Sequence, residues 1–117
     1  MINNRSSHGE SSDSVSRYIS YVRDIDQFSR EEELEIARKW VSEGDRCAAD
    51  ALIRANLRYV VAIALTYRRY GLPLADLIAE GNFGLVHAVS KFNPERGTRF
   101  VIYVVYWICA YMLNYVI

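Results

Sequence analysis

The sequence predicts an all-α fold, and three observations carry that expectation. Apolar residues recur at helical spacing in every segment after the first dozen or so residues. No segment alternates cleanly with period two, and no hairpin signal such as Asn-Gly occurs. The breaks between segments carry the residues that start and stop helices. The opening stretch MINNRSSHGESSDS is rich in Ser, Asn and Gly and has no apolar run, so residues 1–13 read as a disordered leader and not as a signal peptide. A first helix is expected from about Ser14 to Ile25, with Tyr18, Ile19, Val22 and Ile25 on its stripe. Ser29 is placed to cap a second helix, with Glu32 three residues on completing a capping box. Leu34, Ile36, Ala37, Trp40 and Val41 supply the apolar face of that helix, and Gly44 ends it. Asp45 can cap a third helix reaching about Tyr70, stopped by Gly71 and Pro73. A fourth runs from about Leu74 to Phe92, Asn93 to Gly97 forms a turn, and Thr98 is expected to cap the last helix, which continues to Ile117.

Composition bounds the function. The chain has 117 residues, 51% of them hydrophobic, enough for one domain with one core, or one domain plus an arm. Lys plus Arg and Asp plus Glu number 14 each, so the chain is not a basic protein that coats nucleic acid, although a local basic patch remains compatible with zero net charge. Cys47 and Cys109 form no CxxC pair and lie near neither His8 nor His87, which argues against a zinc site and against a disulfide framework. A reducing cytoplasm is the expected setting. No glycine-rich phosphate loop, HExxH or GxSxG motif occurs, so neither an enzyme nor a cofactor is expected. Glu31, Glu32, Glu33 and Glu35 crowd the start of the second helix, where the helix dipole favours them; they are read as a solvated face and not as metal ligands.

The last helix is unusual. From Phe100 to Ile117 the one strongly polar side chain is Asn114. A membrane span needs about 18 or more apolar residues, but spans keep Tyr and Trp at their ends, and here the rings run the whole length. A core helix with one face left for a ligand fits better. Tyr103, Trp107, Tyr111 and Tyr115 lie four apart on one slowly drifting stripe, with Phe100 and Tyr106 beside it and Arg96 and Arg99 just before it. Packing of a core accounts for most such stripes. Cations next to a stacking platform are also what single-stranded nucleic acid requires, phosphates on the cations and bases on the rings.

Several ordered segments then resemble one family. They are Ala55-Asn56-Leu57-Arg58-Tyr59-Val60-Val61, Tyr70-Gly71-Leu72-Pro73, Asp76 through Leu85 (DLIAEGNFGL), and Lys91 through Gly97 (KFNPERG) followed by Phe100, Tyr103, Trp107 and Ile108. Together they resemble regions 2.1 to 2.4 of bacterial sigma factors, while Tyr18 to Asp50 resembles region 1.2 of the heat-shock-like group. The resemblance covers roughly Val15 to Ile117. It implies a helical sigma domain 2 over residues 51–117, preceded by a region 1.2 helix pair over 14–50, with the chain ending inside region 2.4.

That resemblance implies partners and roles. Asp76, Glu80 and Asn82 match the helix that docks on the β′ coiled coil of core RNA polymerase. Asn56, Arg58, Arg96, Arg99, Phe100, Tyr103, Tyr106 and Trp107 match the surface that opens the −10 promoter element, flips a base and holds the non-template strand. The chain also departs from the family pattern. Cys109 stands where Arg or Lys usually follows Trp-Ile, Ala79 where Gln is common, and Leu113 and Asn114 replace more polar residues. Val101, Ile102, Val104 and Val105 surround Tyr103 where smaller or hydroxyl residues are frequent, and are expected to narrow a base pocket. Transcription initiation is therefore the expected function. The rivals are a truncated competitor that docks on polymerase without melting promoters, and a helical membrane-associated or adaptor protein.

Overall fold

The computed structural model describes residues 2–117, with side chains described from Asp13 onward, so the leader expected over residues 1–13 falls, from Ile2, within the first helix. The chain forms five α-helices and no strand among the described residues: α1 (Ile2–Arg23), α2 (Arg30–Glu43), α3 (Arg46–Tyr67), α4 (Leu74–Lys91) and α5 (Phe100–Val116). Two short 3-10 turns, Arg68–Tyr70 and Pro94–Arg96, join α3 to α4 and α4 to α5.

Local hydrogen bonding sets the ends of α2 and the start of α3. The Ser29 hydroxyl accepts from the Glu32 N–H at 3.1 Å, and the Glu32 carboxylate accepts from the Ser29 N–H at 2.8 Å, which is the expected capping box. Gly44 closes α2 at φ 66°, a left-handed conformation that glycine adopts without a Cβ penalty, and its N–H reaches Trp40 O at 2.9 Å. The Asp45 carboxylate accepts from the N–H groups of Cys47 and Ala48 and starts α3.

Helix α3 lies at the centre and buries Leu52, Ala55, Val60, Val61 and Ala64. Helices α4 and α5 form the most extensive pair, joining Leu77, Leu85, Ala88 and Val89 to Phe100, Val104, Ile108 and Met112. The chain before α3 is fastened by long side chains. Arg58 donates to Arg23 O at 3.5 Å, in the last residue of α1, and to Ile25 O at 3.2 Å, just past it. Gln27 donates to Ala55 O at 2.9 Å. The Trp40 indole donates to Val89 O at 2.9 Å, filling one of the last-turn carbonyls of α4 that have no partner within that helix. Arg38 and Glu95 pair at 3.3 Å on the surface, where such a pair contributes little.

Two glycines set the distance between α4 and its neighbours. A Cβ on Gly84 would lie 2.6 Å from the Trp107 carbonyl oxygen and 3.0 Å from Ile108 Cα, both backbone atoms of α5. A Cβ on Gly81 would meet the Met112 methyl and, at 2.7 Å, a Val60 methyl. Gly84→Ala should therefore destabilise the chain. The gain in helix propensity is about 1 kcal/mol, whereas overpacking costs about 1–3 kcal/mol, and a backbone neighbour cannot rotate away. A urea titration should show a lower midpoint at unchanged slope; an unchanged or higher midpoint would contradict this close approach.

Several expectations need correction. Helix α1 ends at Arg23, so Ile25 lies beyond it. Helix α3 ends at Tyr67, and residues 68–70 tighten into a 3-10 turn before Gly71. Phe92 leaves the helical conformation and caps α4 at its C-terminal end. Thr98 does not cap α5: Arg99 occupies the N-cap position at ψ 138° with no side-chain cap bond, and its carbonyl accepts from Tyr103. Val104 cannot narrow a base pocket, because its spacing with Phe100 and Ile108 turns it fully into the core.

Candidate nucleic-acid interface and docking face

Helix α5 presents three stripes. Phe100, Val104, Ile108 and Met112, each four residues apart, face the core. Tyr103, Trp107, Tyr111 and Tyr115 lie on the adjoining flank, half-buried. Ile102, Tyr106 and Leu113 are exposed on the far side. The aromatic stripe is thus neither all core nor all surface.

The rings around Trp107 form a continuous cluster. Trp107 lies 4.2 Å from the His87 ring centroid, and Tyr106 stands edge-on to it at 5.4 Å and 87°. Tyr103 and Tyr111 each meet it edge-on at 6.5 Å. The Trp107 indole N–H is buried without a hydrogen-bond partner. Phe100 packs edge-on against Phe92 at 4.9 Å, and Phe92 also touches Tyr103 at 5.5 Å. These arrangements suit the ring quadrupoles. Sequence reasoning missed His87 and Phe92 as parts of this cluster, whereas Tyr111 belongs to the stripe that the spacing picked out. His87 lies on α4, 20 positions before Trp107, and no local pattern connects the two.

The expected strand-contacting residues separate into two groups. Arg96 and Arg99 are exposed at the turn into α5, Tyr106 is 66% exposed, and Tyr103 and Trp107 are half-buried beside it. Arg99 also faces the Glu33 carboxyl of α2, whose pKa is raised by burial and only partly lowered by that guanidinium. Phe100, by contrast, is buried against Phe92. Asn56 is 2% exposed and donates back to Leu52 O at 2.7 Å. Arg58 donates to the carbonyls of Arg23 and Ile25 at the end of α1. In this conformation the structure does not bring Phe100 or Asn56 to the surface.

Helix α4 divides the expected docking residues in the same manner. Asp76 and Glu80, one turn apart, lie on the side toward the end of α5, where the Tyr115 hydroxyl donates to Asp76 at 3.2 Å. Partial burial and these two carboxylates raise the Tyr115 phenol above its usual pKa. Asn82 lies on another side of α4, in a shallow groove with Val15, Tyr18, Ile78 and Ala79, and its side-chain oxygen is buried without a partner. Between these sides, Phe83 and Val86 are 62% and 49% exposed. Sequence reasoning did not single out either one. The spacing Asp76, Glu80, Phe83 could have pointed to the first, because residues three and four apart share a helix face.

An all-helical bundle carrying an aromatic cluster beside two exposed arginines agrees with the expected family. The Sigma-70 region 2 family model matches residues 52–116. The chain belongs to the sigma-70 region 2 family. It is 41% identical over 103 residues to the RNA polymerase sigma factor RpoH of Caulobacter vibrioides, a match covering 88% of this chain and 35% of that protein. It is 43% identical over 104 residues to the RNA polymerase sigma-C factor of Myxococcus xanthus, covering 89% of this chain and 35% of that protein. A third relative, RpoH of Zymomonas mobilis, is 40% identical over 104 residues. The chain spans about 35% of the length of these relatives. Among the described residues no helix is long and apolar enough to cross a membrane, and α5, 17 residues long, is packed on α4.

Proposed function

We propose that this chain acts in transcription initiation as a sigma factor segment. In this reading the outward side of α4 docks on the β′ coiled coil of core RNA polymerase, and the aromatic start of α5 captures the non-template strand of the −10 element in the cytoplasm. The observation that carries it is the exposed Tyr106 ring standing edge-on to half-buried Trp107, which also meets Tyr103, on the helix that exposed Arg96 and Arg99 precede. Bases that leave the duplex can stack on the rings while phosphates pass the two guanidinium groups, offsetting the few kcal/mol that flipping costs. Binding, not covalent chemistry, does the work. Asn56 and Arg58 then act as braces within α3 and beneath α1, not as strand contacts.

The test is fluorescence anisotropy of a labelled −10 non-template oligonucleotide with core polymerase present. Tyr106→Ala should weaken binding by about 1–3 kcal/mol, the usual worth of one stacked base. Because Tyr106 is exposed, its truncation should leave the fold intact; Trp107→Ala needs a circular dichroism check first. Arg99→Ala should weaken all strand sequences alike and flatten the salt dependence. If the folded chain fails to prefer the −10 sequence over a scrambled strand, strand capture is wrong.

One observation favours a narrower reading. Helix α5 carries no cation between Phe100 and Ile117, and Cys109 occupies the place where sigma factors usually have one. A chain that docks on polymerase without melting promoters would show undiminished polymerase binding together with no strand preference.

A further inference from the structure

Trp107 is gripped from α4 by two residues three apart. At Gly84 the α4 backbone rests on the Trp107 carbonyl, because no Cβ keeps it off. One turn on, on the same side of the helix, the His87 ring packs against the Trp107 ring with centroids 4.2 Å apart and planes inclined at 45°. That is the closest ring pair among the described residues. The Tyr111 hydroxyl lies 3.3 Å from His87 Nδ1 and fixes the turn of the imidazole. The Trp107 indole N–H is buried without a hydrogen-bond partner, so packing, not hydrogen bonding, orients that ring.

We propose that His87 is a positioning residue for strand capture: its ring holds the Trp107 indole in place for an unpaired base, and a proton on the imidazole tightens that hold. The proposal rests on the strand-capture reading. An indole free to turn would have to be ordered as each base arrives, at an entropic cost; the His87 brace meets that cost on folding. Neutral imidazole with its proton on Nε2 accepts from the Tyr111 hydroxyl at Nδ1. Imidazolium carries a proton on both nitrogens, donates to that hydroxyl instead, and sets a cation against the indole. Imidazole is the side chain that ordinarily changes charge between about pH 5 and 8, and His87 is half-buried, so solvent protons reach it. Among the described residues its ring and hydrogen-bond contacts are all to α5. Helix α5 carries no Asp, Glu, Lys or Arg, and the Tyr111 hydroxyl is its titratable group at the imidazole. On α4 itself, Lys91 lies one turn further on and Glu80 two turns back.

Two measurements on the full chain test the proposal. Without DNA, tryptophan emission should fall between pH 8 and pH 6, because imidazolium in contact with indole quenches its fluorescence. The fall should vanish in His87→Gln and in His87→Phe. His8 and Trp40 are present in all three chains and cancel in the comparison. The second measurement is anisotropy of the labelled −10 strand with core polymerase present. At pH 8, His87→Phe, which keeps a ring against the indole, should match the parent, and His87→Gln should bind roughly two- to tenfold more weakly. From pH 8 to pH 6 the parent should gain about two- to fivefold more affinity than His87→Phe. Far-ultraviolet circular dichroism confirms the fold of both variants. Parent emission that ignores pH overturns the proposal, as does a fall that survives both substitutions. A loss in His87→Gln that the phenylalanine ring does not rescue also overturns it. A parent whose emission responds but which binds −10 and scrambled strands alike sinks strand capture, and the positioning role with it. A parent that prefers the −10 strand, with His87→Gln binding equally well, sinks the positioning role alone.

Discussion

Replacing Ile108 by alanine is expected to cost about 2–5 kcal/mol of stability, the range for truncating a fully buried aliphatic side chain. Ile108 is completely buried at the middle of the inward stripe of α5, beside the two glycines of α4 that bring the helices together. The walls of the resulting hole are held by that close backbone approach and cannot collapse readily, which favours the upper part of the range. For a domain of this size, thermal denaturation should move down by roughly 10 °C or more. The informative control is Ile102→Ala. The same residue type, in the same helix, sits 60% exposed on the opposite side, and its truncation should change stability by no more than about 0.5 kcal/mol. Equal losses at the two positions would mean that α5 is not oriented as described.

The second large effect concerns polymerase. Asp76→Lys combined with Glu80→Lys should weaken binding to the isolated β′ coiled coil by about 2–5 kcal/mol if the carboxylates are desolvated in the complex, and much less at a rim. Calorimetry with the purified coiled coil would measure this directly. The fold should tolerate the change, because Asp76 is exposed and its one partner is the hydroxyl of Tyr115, which water can satisfy. Asn82→Ala distinguishes how much of α4 the partner covers, since Asn82 lies on a different side of that helix, facing the groove beside Tyr18. A loss at Asn82 equal to that at the two acids would mean that the coiled coil spans both sides. Wild-type affinity in the double-lysine variant would remove this side of α4 from the contact altogether.

Sequence was most informative where hydrogen bonds are short in range. The Ser29–Glu32 capping box, the Asp45 cap and the Gly44 stop each involve groups within five residues of one another, and each lies where it was expected. The start of α5 was misplaced by one residue because no side chain caps it; Thr98 has the right chemistry in a position the helix does not use. Placement of the site residues was harder. Arg58 was assigned to DNA, but its acceptors are backbone carbonyls 33 and 35 residues earlier. Asn56 turns inward for a bond to its own helix that costs nothing in sequence signal. The separation of Asn82 from Asp76 and Glu80, however, was available from helical geometry alone: residues six or two apart do not share a face.

The missing side chain at Gly84 has a mechanical consequence. With the α4 backbone resting against the Trp107 carbonyl, there is no layer of side chains between the two helices at that point to absorb motion. Close-packed interiors have low compressibility and transmit strain. A load applied to the outward side of α4, at Glu80 or Phe83, therefore reaches the backbone of Trp107 directly at Gly84 as well as through the packed side chains around it. The helix that carries the acids and the helix that carries the rings behave as one lever, and a push on one moves the other with no lost travel.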